Sequence, residues 1–189
     1  MRKASRFMPP YHAPEPTAAG KLFGYATLAT IGTGLLFLVC SKPLILPSIG
    51  LFILAGYLSH LQIERRSRRL ARDRSGESIE TFAKSFDYRT IDTWIIRATW
   101  DAFRPLCKFS EGYVPLRADD HIEKDIMIGG TDLDDVFIEI ATRAGRSLED
   151  GEDNPFYDKV HTVRDLVMFL HHQPWMPGYT RSCSNSIVV

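Results

Sequence analysis

Two runs without a formal charge, Leu22 to Ser41 and Pro43 to Ile63, are 20 and 21 residues long and are separated only by Lys42. No other feature constrains the chain as much. About 20 residues at roughly 1.5 Å rise per residue cover the ~30 Å hydrocarbon layer of a bilayer, so each run is long enough to cross it as a helix. Thr27, Thr30 and Thr33 in the first run are tolerable because a hydroxyl can bond back to a carbonyl of its own helix. Pro47 falls in the first turn expected for the second run, where its missing amide hydrogen would have no intrahelical partner anyway. The competing reading is a buried helical hairpin of a soluble core. Core helices seldom run this long without charge, and no small-residue cleavage site closes the first run as it would a signal peptide. The expectation is a transmembrane hairpin over 22–63, with helices at about 22–41 and 43–63 and a tight Ser41-Lys42-Pro43 turn.

Charge gives the hairpin a direction. The whole chain of 189 residues is neutral, with 23 Lys and Arg against 23 Asp and Glu. That neutrality conceals a net +3 over residues 1–21, +4 over 63–74 and −8 over 75–189. Basic residues stay on the untranslocated side of a membrane, and both flanks are basic. Both termini of a multi-pass protein are therefore expected to face the cytoplasm. Arg65, Arg66, Arg68, Arg69, Arg72 and Arg74 directly follow the second run and suit anionic lipid head groups, at about 1 kcal/mol each near the surface. Nucleic acid is the poorer partner, since the cluster has no interleaved aromatic residues. Gly20 and Gly24 have the small-x-x-x-small spacing that lets helices approach closely. His60 sits near the basic end of the second run, where an imidazole needs no functional account, and neither run holds an Asp, Glu, Lys or Arg that would mark an ion path.

Outside the runs the chain divides into an irregular arm (1–21, with four prolines in its first 19 residues), a basic juxtamembrane and linker segment (64–87), a helical domain (88–172) and a tail (173–189). Apolar spacing predicts a linker helix near 78–86 through Ile79, Phe82 and Phe86. A longer helix is expected over 90–103 through Ile91, Ile95, Ala98 and Ala102, with Trp94 beside them. A long loop from Lys108 to Thr131 carries apolar anchors such as Leu116 and Ile122. Leu133, Val136, Phe137, Ile140 and Ala144 mark an amphipathic helix that Thr131 and Asp134 would cap and Gly145 would stop. Asn154-Pro155 suggests a short helical turn bearing Phe156, Tyr157 and Val160, and Thr162 with Asp165 opens a last helix halted by Pro174. Trp175 and Met176 are candidates to fold back on the domain, and fraying is the expectation for the rest of the tail. The fold class is all-α: a two-helix hairpin, then a small four-helix bundle.

The stretch "VPLRADDHIEKDIMIGGTDLDDVFIEIATRAG", with "KVHTVRDLVMFL" after it, resembles an acyl carrier protein over its loop, second helix and last helix. It is still more similar to acyl-carrier-like domains that lack the prosthetic-group serine. The resemblance covers residues 88–172, somewhat under half of the chain. It implies an acyl-carrier-like bundle, but the family's Asp-Ser-Leu is here Thr131-Asp132-Leu133, so Asp132 stands where the serine would carry phosphopantetheine. A carboxylate cannot form that phosphodiester. The hydroxyl of Thr131 lies one residue early, about 100° around the helix. No cofactor is expected. What the resemblance leaves is an acidic docking helix, with Asp132, Asp134, Asp135 and Glu139 as partner-binding candidates for a basic protein surface.

Other constellations carry less. Asp119, Asp120, Glu123 and Asp125 with His121 do not have calcium-loop spacing, and no metal is assigned. His171 and His172 close the last helix, where protonated imidazoles favour the helix dipole, while His12 and His161 stand alone. Cys40, Cys107 and Cys183 form no CxxC pair and fit a reducing compartment. No nucleophile elbow, phosphate loop or Cys/His pair is present, so no enzyme is expected. The function expected is a membrane-tethered, non-catalytic interaction module. An immunity-type protein that neutralises a basic toxin is the first alternative, and a membrane-bound acyl carrier the second.

Overall fold

The computed structural model describes residues 5, 8–11, 17–42, 45–87, 89–126, 130–149 and 151–180, with backbone alone at 36, 38–40, 45 and 130–132. Helices α1 (Ala18–Ser41) and α2 (Ile45–Asp73) come first. They are followed by α3 (Ile79–Lys84), α4 (Thr93–Phe103), a two-stranded antiparallel ribbon of β1 (Lys108–Phe109) and β2 (Gly112–Tyr113), α5 (Gly130–Ala144) and α6 (Val163–His172). The all-α class expected from sequence holds, apart from that ribbon. The chain forms two compact units: residues 12–66, and residues 1–11 together with 67–189.

In the first unit, α1 is apolar all round and its described side chains are exposed. Phe23 is 76% exposed and Phe52 of α2 82%, the inverse of what water tolerates over so large an area. The threonine hydroxyls of α1 donate back to the carbonyls of Phe23, Ala26 and Ala29 at 2.8–2.9 Å, which hides their polarity inside the helix. Pro47 lies in the first turn of α2. Among the described residues, one helix, α2, is long and apolar enough by length and composition to cross a membrane. It does not stop at Ile63 but continues through the arginine cluster to Asp73.

In the second unit, α4 runs through the centre. Asp92 caps it by accepting from the amide of Trp94 at 3.1 Å, which starts the helix at Thr93 rather than at 90. Trp94, Ile95, Ile96, Ala98, Trp100, Ala102 and Phe103 are all buried, and α3, α5 and α6 pack around it. Ser78 and Thr81 form a capping box that fixes α3, and its Phe82 meets Phe86 edge-on at 5.1 Å and Trp100 at 5.4 Å. Thr162 and Asp165 form the expected capping box of α6. Two expectations are corrected. Thr131 lies inside the first turn of α5 rather than at its cap, because the helix begins at Gly130. The segment after Asn154 is a set of turns, and the helical turn lies earlier, a 3-10 turn at Gly151–Asp153. Asn154 folds it locally, accepting from the amide of Phe156 at 3.0 Å and donating to the carbonyl of Phe169 at 2.9 Å.

Residues 173–180 of the tail lie over the end of α5. Gly145 stops that helix with φ +71°, a left-handed conformation that costs other residues about 1–2 kcal/mol. Met176 donates its amide to the Gly145 carbonyl at 2.9 Å, Ser147 donates to Pro174 at 2.9 Å, and Tyr179 Oη donates to the Arg143 carbonyl at 2.7 Å. A Cβ on Gly145 would lie within the Tyr179 ring. Gly145→Ala is expected to destabilise the domain by about 2–4 kcal/mol, from backbone strain plus overpacking. Thermal unfolding should show that loss, and Tyr179→Ala in the same chain should recover the packing part of it.

Candidate functional site

Three groups of residues singled out in the sequence can be placed: the acidic helix, the arginine cluster and the carboxylates of the long loop. In α5 the inward stripe of Val136, Ile140, Ala141 and Ala144 is buried, with Leu133 and Phe137 half-buried beside it. That stripe turns Asp134, Asp135, Ile138 and Thr142 outward as one exposed face. Ile138 is 52% exposed, and Asp134 and Asp135 precede it by four and three residues, which on a helix makes all three neighbours. The sequence pattern held the signal for Ile138, an aliphatic residue out of phase with the apolar stripe. Asp132 lies in the first turn of the same helix, and its side chain lies outside the described ones. Glu139 is turned differently: it accepts from Arg143 at 3.1 Å and is half-buried, because Arg143 also bridges to Asp101 of α4 at 3.0 Å. Its carboxylate is thus engaged within the domain, unlike those of Asp134 and Asp135, which face solvent.

The arginine cluster is divided by α2 and the turn that follows it. Arg65, Arg66, Arg69 and Arg72 are exposed. Arg68 reaches Glu111 at 3.2 Å in the β1–β2 turn. Arg74 is buried and is removed from the headgroup set. Its guanidinium makes a two-pronged contact with Asp120 at 2.6 and 2.7 Å and donates to the Pro115 carbonyl at 2.8 Å. Asp120 also accepts from the amide of Arg117 at 2.8 Å. Beside this pair, Arg117 holds Glu77 in a forked contact, and the hydrogen bonds from that guanidinium lower the Glu77 carboxyl below its usual range while Glu77 raises Arg117. Burial pushes the Cys107 thiol up to about 12, with nearby Asp120 adding to the shift, so it is a protonated, unreactive thiol at neutral pH.

Such pairings also account for three of the four loop carboxylates. Asp119 accepts from Arg164 at 2.9 Å, Asp120 is taken by Arg74, and Asp125 accepts from the backbone of His121 at 3.0 Å. The His121 ring lies 6.1 Å from that of His161, where the loop pairs with the residues before α6. Among the described residues no group of three or more His, Cys, Asp or Glu is placed to hold a metal ion. The tail contributes a further buried set: Arg146 pairs with Asp92 at 3.2 Å, donates to the Gln173 carbonyl at 2.9 Å and lies over the Trp175 ring at 4.0 Å.

The domain therefore settles many of its acids internally and leaves one helical face of two aspartates around an isoleucine directed to solvent. Such a face can steer and orient a basic partner. No protein-family model matches the chain, and neither the curated proteins nor the solved structures include a significant match to it.

Proposed function

We propose that this chain is a multi-pass protein of a bacterial inner membrane, tethered by a hairpin of α1 and α2 with both termini cytoplasmic. Its acyl-carrier-like domain works without a phosphopantetheine arm and without catalysis, and docks a basic protein through α5. The observation that carries the reading is the exposed face of Asp134, Asp135 and Ile138. An aliphatic side chain beside two carboxylates is a compact docking feature: the charges speed encounter, and the apolar contact adds the dehydrated area that slows release. The apolar, outward-facing surfaces of α1 and α2 support the tether, and the exposed Arg65, Arg66, Arg69 and Arg72 suit anionic head groups. Confinement to the membrane plane raises the effective concentration of membrane-associated partners, so a modest interface suffices.

The test is capture by the full-length chain from solubilised membranes, comparing the natural sequence with Asp134→Lys/Asp135→Lys. Like charges set against a basic partner should lower capture at least about tenfold, and the loss should shrink at high salt. Unchanged capture would leave α5 as a solvated face. The identity of the captured protein separates an adaptor for envelope-synthesis enzymes from a protein that neutralises a basic toxin.

A further inference from the structure

We propose that the groove between α3 and α4 is the receptor for the chain's own N-terminal arm, which clasps the segment before α1 to the domain after α2. Residues 1–11 belong to the same compact unit as 67–189, although 12–66 form the other. Met8 is half-buried and packs against the domain core, and Pro9 after it is also half-buried. The Met8 amide donates to the Ser5 carbonyl at 3.0 Å, which folds the arm into a turn. Ser5 stands in the wall of a cavity of about 270 Å³ with Ile79, Ala83 and Ile96, and Glu80 and Arg97 are its charged lining residues.

The chemistry of arm and groove agrees. Methionine is unbranched and polarizable and fills irregular apolar gaps. Pro9 and Pro10 restrict the unbound arm and so reduce the entropy lost on docking. Residues 1–11 carry Arg2, Lys3 and Arg6 and no acid, while Glu80 is exposed on α3 and Arg97 is drawn to Asp101 at 3.0 Å. In composition, a basic, proline-bearing segment and an apolar groove with an exposed carboxylate are complementary. Because the arm is tethered, a contact too weak to hold a free peptide is enough to keep it seated.

The clasp stands on the geometry of one compact unit, and its consequence for the membrane rests on the hairpin reading. An odd number of crossings between Tyr11 and Ser67 would put arm and groove on opposite sides of the bilayer. The clasp therefore closes when α1 and α2 both cross or neither does, and is incompatible with a single crossing.

A benzophenone amino acid in place of Ser5 in the full-length chain tests both parts. Irradiated in native membranes and again in detergent micelles, it should form adducts with α3 or α4 peptides of the same chain in both. Met8→Asp should lower the adduct yield about tenfold, since it would set a carboxylate against the apolar core, while the fluorescence of the buried tryptophans reports that the domain stays folded. Absence of the adduct in both settings would overturn the clasp. Adducts formed only between differently tagged copies would overturn its intramolecular form. Adducts in micelles but not in membranes would keep the groove and overturn the hairpin.

Discussion

Asp120→Ala is expected to destabilise the domain that follows α2 by about 3–5 kcal/mol, since it leaves the Arg74 guanidinium buried without its counter-charge. Both side chains are under 10% exposed and meet through two hydrogen bonds of 2.6 and 2.7 Å. A natural domain has only about 5–15 kcal/mol of stability in total, so the variant stands close to unfolding. The remaining contact of Arg74, with the Pro115 carbonyl, offsets little of the desolvation. Denaturation of the full-length protein in micelles, followed by fluorescence of the buried Trp94 and Trp100, measures the loss. The informative control is Arg74→Met/Asp120→Leu, which removes both charges and should recover most of the stability, because a buried ion pair is often replaceable by apolar groups of similar volume. If Asp120→Ala unfolds within 1 kcal/mol of the natural protein, the pair does not hold the end of α2 to the loop.

The second large effect is on insertion. Ile53 lies near the middle of the apolar part of α2, 65% exposed. Arginine at the centre of a spanning helix costs about 2.5–3.5 kcal/mol on insertion-derived scales, close to a hundredfold in the insertion equilibrium. Ile53→Arg should therefore shift full-length chains from the integrated to the non-integrated fraction in a membrane-insertion assay. Gln62→Arg, beside the natural arginines at the far end of the apolar part, should have only a small effect, because a long basic side chain there reaches the interface. Equal insertion of the two variants would remove α2 as a membrane-crossing helix.

How much of this was legible in the sequence depends on how far apart the interacting residues lie. Local rules worked within a turn or two. The Thr162–Asp165 box acts where the chain needs a cap, Gly145 takes the left-handed stop, and the stripe of α5 places Asp134 and Asp135 outward. Local rules failed where two readings share one pattern. Asn154-Pro155 fits a helix start and a turn equally, and the hydrogen bond from Asn154 to Phe169, 15 residues later, decides for the turn. The arginine cluster shows the same limit. Six arginines in ten residues read as one uniform basic block, yet the helix turns four of them to solvent and points Arg68 at Glu111, while the turn after it buries Arg74 against Asp120.

The amino-acid order by itself determined the apolar lengths of the two runs, the basic-then-acidic polarity and the amphipathic faces of α4, α5 and α6, because hydrophobic burial and helical periodicity act on neighbours along the chain. Only the tertiary structure decided which charges remain available. Arg74 meets Asp120 from 46 residues away, Arg146 meets Asp92 from 54, and Met8 is seated on a core formed by residues more than 60 positions later. Such pairings are set by packing geometry in three dimensions, and a carboxylate that reads as free in the sequence is neutralised or left open according to what the fold brings to within about 4 Å of it.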